Sequence, residues 1–144
     1  MPAFEFSSVI FCDDIRKEVT NKDILIGVYT GDILVGSFPA WINLSIWAEI
    51  FASEKGVEKF DLRLMVGDRE PLLFKASMEF HQSGGAAFAI PGMQIHFEKE
   101  GDLALEIKEG DQWRELKRKK VLQGSIKSPF PILPSPPGSL PSDS

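Results

Sequence analysis

Phe11-Cys12-Asp13-Asp14-Ile15-Arg16 sets a thiol, two carboxylates and a guanidinium side by side in a chain with a single cysteine and two histidines. Such a set offers acid–base chemistry, a nucleophile or a polar ligand site. It falls where an apolar first strand, residues 3 to 12, gives way to charge, and strand ends are where sites are commonly built. Adjacent residues on extended chain point to opposite sides, so Asp13 and Asp14 share a ligand only if the backbone turns between them. The simpler reading pairs Arg16 with one aspartate and lets the other cap a turn. Cys12 needs a base to act as a nucleophile, and only His81 and His96 are on offer. His96, between Ile95 and Phe97, should face away from them toward solvent. With apolar neighbours and no local signature, Cys12 reads as a small core residue.

Other reactive patterns also have plainer readings. Two histidines and one cysteine at unrelated positions make no ligand-spaced metal cluster. Gly-Asp recurs at Gly31-Asp32, Gly67-Asp68, Gly101-Asp102 and Gly110-Asp111. Its irregular spacing fits hairpin turns needing a positive φ better than a calcium repeat. Nothing in the sequence calls for a metal or a cofactor. Arg114, Lys117, Arg118, Lys119 and Lys120 beside Trp113 could meet nucleic acid, but one aromatic in an acidic chain makes protection of an open sheet edge the better account. Trp41, Trp47 and Phe51 are the partner-binding candidates, since Trp47 and Phe51 lie opposite in parity to Leu44, Ile46, Ala48 and Ile50. A covering loop through Pro39 and Trp41 is the alternative.

The elements that must carry these residues are strands. In 44–52, 58–66 and 72–80, apolar residues recur with a period of two: Leu44 to Ile50, Phe60 to Val66, Leu72 to Phe80. The opposite faces carry Ser45 and Glu49, then Lys59, Asp61 and Arg63, then Lys75, Ser77 and Glu79, which suit water. Residues 3 to 12 show apolar side chains on both parities, as if both faces were covered. Asn21-Lys22 turns the chain into Ile24–Tyr29, and Ile33–Val35 follows as a short strand. Pro91-Gly92 reads as a turn. Met93–Phe97 and Leu103–Ile107, about Glu100-Gly101-Asp102, read as the clearest hairpin. A last ribbon runs from Trp113 to about Ile126.

At 144 residues and 43% hydrophobic content the chain suits one domain, residues 1–127, followed by a proline-rich tail, 128–144. Six of ten prolines lie between Pro129 and Pro141, so that segment is expected to be disordered. Pro131 and Pro134, with Lys127 upstream, have the spacing of a polyproline II ligand. Sixteen basic against twenty-one acidic residues give a net charge of -5, which disfavours non-specific binding to nucleic acid or anionic lipid. The absence of a cysteine pair, signal-peptide pattern or spanning apolar run predicts a cytoplasmic protein with no membrane contact.

The opening Phe11-Cys12-Asp13-Asp14-Ile15-Arg16, followed by Ile24-Leu25-Ile26-Gly27-Val28-Tyr29, resembles a family of uncharacterised bacterial proteins. The likeness extends through the hairpin ending near Ile107 and the basic ribbon beyond it. It implies a small single-domain β-sandwich and supplies no site residues. The fold expected is therefore all-β, an antiparallel sandwich of immunoglobulin-like architecture, with a partly closed barrel as the alternative. The leading function is a non-catalytic module that binds a protein partner or a second copy through an exposed face or edge. The alternative is a small ligand-binding protein or enzyme whose pocket lies near Asp13, Asp14 and Arg16, with a histidine in reach.

Overall fold

Alternation of period two is realised as nine strands among residues 4–125, which the computed structural model describes. They are β1 (Phe4–Lys17), β2 (Asp23–Val28), β3 (Ile33–Val35), β4 (Ala40–Ala52), β5 (Gly56–Val66), β6 (Leu72–Phe80), β7 (Gly84–Phe97), β8 (Gly101–Glu109) and β9 (Gln112–Gln123). One sheet has the order β2-β1-β4-β7 and the other β3-β9-β8-β5-β6. The two pack face to face as a sandwich. Its core joins Leu44, Ile46 and Ile50 of β4 to Leu62 and Leu64 of β5 and Leu103 and Leu105 of β8, all fully buried. Burying each such side chain stabilises the fold by about 1.5–3 kcal/mol. Among the described residues no helix is long and apolar enough to cross a membrane. The proline-rich tail lies outside the described residues.

Several sequence expectations change. The sandwich is not wholly antiparallel, because β3 runs parallel to β9 through Ile33↔Val121 to Val35↔Gln123. Met93–Phe97 and Leu103–Ile107 form no hairpin: β7 pairs with β4, whereas β8 pairs with β5 and β9 in the other sheet. Alternation identifies a strand but not its partner, and the short link 98–100 crosses between layers. Of the Gly-Asp glycines, Gly67 and Gly110 take the positive φ of a turn. Gly101 is instead needed for space, since a Cβ there would lie 3.2 Å from Gly67 Cα.

Pro91-Gly92 is not a turn but a bulge inside β7. Pairing passes from Leu44↔Met93 to Ile46↔Ile90, so Ser45 faces two residues at once. The inward set accordingly switches from Ala86, Phe88 and Ile90 to Met93, Ile95 and Phe97. Ser45, expected to face water, is fully buried and its Oγ accepts the Gly92 N–H at 3.0 Å. A second irregularity, between Phe6 and Ser8, explains the mixed parity of β1. Phe4 and Phe6 pack on the core before it, Val9 and Phe11 after it.

Candidate functional site

Cys12 is where β1 changes partners. β1 pairs with β4 as far as Cys12↔Ser45, and with β2 from Cys12↔Val28 to Lys17↔Asp23. If β1 ran straight, Asp23, opposite Lys17, would stand seven residues beyond Ile10, about 23 Å along the strand. Yet Trp47, the β4 partner of Ile10, donates its indole N–H to Asp23 Oδ2 at 2.9 Å. Residues 13–28 therefore fold back as a hairpin arm over the outer face of the sheet, and Cys12 and Ser45 are fully buried where it departs. Asp13, Asp14 and Arg16 lie within β1, not in a loop at its end, because pairing with β2 keeps the chain extended through Lys17.

The arm's first polar groups are all engaged. Tyr29 Oη lies 2.7 Å from Asp13 Oδ1 and 2.8 Å from the Asn43 carbonyl, so one phenolic proton serves both acceptors. A straight β1 would have placed Asp14 beside Asn43, and Tyr29 fills that gap in the ladder. Burial first, and then the bond to Asp13, raise the Tyr29 pKa and keep the proton on the phenol. Gly27, at φ 67°, lies against the same carboxylate. Arg16 Nε donates to Asp14 Oδ2 at 2.9 Å, which holds the Asp14 carboxyl below its ordinary range with help from the Ile15 N–H. The Cys12 thiol points at the carbonyls of Asp14 and Ser45, 3.5 and 3.7 Å away, and burial followed by Asp13 pushes its pKa up.

Both histidines lie outside the elements of this cluster. His96 pairs with Trp41, four residues along β4 from the Cys12 partner Ser45, or about 13 Å. His81 follows β6 in the opposite sheet. A groove of about 430 Å³ that includes Tyr29, with Val28, Thr30, Gly31, Asp32 and Leu34, has no histidine in its lining. Among the described residues no three His, Cys, Asp or Glu side chains are placed to hold a metal ion.

The surface candidates separate as well. Among the described residues β9 meets β3 only at Val121–Gln123, and its earlier part is an edge without a partner strand there. There Arg114 is bound to Glu109, while Arg118 is held at 2.6 Å by both Asp102 and Glu115. Two of the cations proposed for nucleic acid are thus already neutralised. Trp41 is 67% exposed and Phe51 52%, but they stand ten residues apart on β4, about 33 Å. Trp47 lies between them, half-buried and bonded to the arm. The three rings make no continuous patch.

The family model of DUF6941, a family of unknown function, matches residues 7–121. The chain belongs to DUF6941. The match takes in the whole arm and both sheets. No curated protein and no solved structure matches the chain.

In this DUF6941 protein the apolar surface that sequence reasoning passed over is on the arm. Ile24, Ile26 and Val28 of β2 are 41%, 42% and 44% exposed, in line on an edge strand. The signal was there: from Ile24 to Val28 both parities are uncharged, the mark of a strand covered on both sides. The arm's anchor yields a prediction. Asp23 has its pKa lowered, first by Lys17, whose Nζ lies at 2.7 Å, and then by Trp47. A depressed carboxyl pKa gives stability that is present above the unfolded value, about 3.9, and lost as pH falls through the folded value. Protection against hydrogen exchange in residues 13–28, taken relative to the intrinsic rate at each pH, should therefore fall on acidification below about pH 4. Trp47→Phe should loosen the arm at neutral pH by about 1.5–3 kcal/mol, the worth of a hydrogen bond to a charged group. If exchange in the arm is the same in the variant, this bond is not its anchor.

Proposed function

We propose that the protein is a non-catalytic binding module of β-sandwich type that meets a protein partner through the outer face of the arm. The observation that carries this reading is the row of Ile24, Ile26 and Val28, each more than 40% exposed on a strand whose outer edge is unpaired among the described residues. An apolar row of this kind suits a contact surface, and an open edge suits strand addition by a partner. The saturated polar set around Asp13, Asp14 and Arg16 supports a role without chemistry. An immunoglobulin-like architecture, a bacterial source and a cytoplasmic location belong to the same proposal. The last of these is supported by a lone cysteine kept as a buried thiol.

Capture of partners from host lysate by the wild type, Ile26→Asp and Phe51→Asp tests the reading, with circular dichroism confirming that all three fold. The expected result is a protein retained by the wild type and by Phe51→Asp but lost by Ile26→Asp. Loss with Phe51→Asp alone would return the contact to the aromatic side of β4. Equal capture by all three would sink the arm as a binding surface.

A further inference from the structure

We infer that the outer face of the five-stranded sheet binds a compact phosphate group, free or as the ester of a small molecule, through Lys59, Lys75 and Lys108. The alternation that sends Phe60, Leu62 and Ile107 into the core turns Lys59 and Asp61 of β5, Lys75 and Ser77 of β6 and Lys108 of β8 outward. Register then brings them together. Asp61 stands opposite Lys75 and Lys59 opposite Ser77, and one step beyond the pair Leu62↔Ile107 sets Lys108 beside Asp61 from the other side. With strands about 4.8 Å apart, the backbones of Lys75 and Lys108 are separated by about 10 Å, and Lys59 lies about 7 Å along β5 from Asp61 between them. Flexible four-carbon stems let all three ammonium groups turn toward one anion there. Together with Gly110 these residues line a groove of about 550 Å³, within the range of about 300–1,000 Å³ usual for small-molecule sites.

Uncompensated charge identifies the ligand. The neighbouring cation on the same face, Arg63, donates to Glu106 at 2.5 Å and lies over the Trp113 ring, 4.4 Å from its centroid. Lys59, Lys75 and Lys108 have no ion pair among the described residues. Asp61 is the one carboxylate in the groove lining, so three cations against one anion leave a local charge of +2 in a chain of net charge -5. That balance matches a phosphate dianion. A long polyanion would also meet the acidic remainder of the surface, whereas a compact one responds mainly to charges within the screening length, about 8 Å in physiological salt. Lysine binds phosphate as a point charge and needs no planar fork. The Ser77 hydroxyl, opposite Lys59, supplies a further donor. The groove is on the other sheet from the arm and stands whether or not the arm meets a protein.

The test titrates the full chain, labelled with nitrogen-15, with sodium phosphate and with glycerol 3-phosphate at neutral pH, sodium chloride holding the ionic strength constant. Backbone amide signals of Lys75, Ser77 and Gly110 should move and saturate with both. Lys75→Gln and Lys108→Gln should each weaken phosphate binding by about fivefold, the upper end for an exposed charge pair. Asp61→Asn should tighten it by a similar factor, a gain that damage to the fold does not produce. Lys120→Gln, outside the groove, should leave it unchanged. Tighter binding of the ester would support a small-molecule phosphate as the ligand, and equal binding the free anion. Signals that move no further than in chloride alone, or affinities unaltered in both Lys75→Gln and Asp61→Asn, would overturn the proposal. So would a short oligothymidylate that binds this face more tightly than either, since the ligand would then be nucleic acid.

Discussion

Phe60→Ala is expected to destabilise the fold by about 3–5 kcal/mol, the usual loss for truncating a buried aromatic. Phe60 is 6% exposed and sits among three other rings, with centroids 5.3 Å from Phe4, 5.6 Å from Phe6 and 5.4 Å from Phe88. These rings come from β1, β5 and β7, so the cluster ties the two sheets together at one end of the sandwich. Removing the central ring leaves a cavity whose lining belongs to both layers and cannot close without moving one of them. Urea denaturation gives the measurement, with Phe51→Ala as the comparison. Phe51 is 52% exposed, and its truncation should cost only about 0.5 kcal/mol, as for a surface site. Comparable losses from the two variants would mean that the ring cluster is not part of the cooperative core.

Gly27→Ala should cost about 3 kcal/mol, from two separable sources. A non-glycine residue at φ 67° costs about 1–2 kcal/mol. The added Cβ would also lie 2.2 Å from Asp13 Oδ2, so the carboxylate must leave Tyr29. Losing that hydrogen bond to a charged group adds about 1.5 kcal/mol. The two parts are distinguished in an Asp13→Gly background, where no carboxylate stands in the way. There Gly27→Ala should cost only the backbone part, about 1–2 kcal/mol. An undiminished loss in that background would refute the steric account. Because the arm joins the sheet through Cys12, the damage should be greatest in exchange rates of residues 13–28.

What the sequence disclosed depended on how local each feature is. β5 reads directly, because Phe60, Leu62, Leu64 and Val66 alternate without interruption and no bulge intervenes. β7 does not, because Pro91-Gly92 has turn chemistry and the apolar parity changes across it, as two separate strands would show. Ser45 looks like a water-facing residue because its partner at the bulge, Gly92, lies 47 positions away. The polar group at Cys12 to Arg16 was visible as a cluster. Its engagement was not, since Tyr29 and Asn43 reach it only after β1 has bent away from β4. The same bend covers Trp47, which reads from its parity as exposed beside Phe51.

The bulge at Pro91-Gly92 makes chain length within β7 as consequential as residue type. Side chains on a strand alternate, so loss of one residue there would rotate everything beyond it by half a turn. Met93, Ile95 and Phe97 would pass from the core to water, with Gln94 and His96 taking their places. Strand links such as 53–55 have no such constraint, and a residue gained or lost there changes no inward set. Among DUF6941 sequences, gaps should therefore gather at the links and spare this strand, even where Pro91 and Gly92 themselves have been exchanged for other residues.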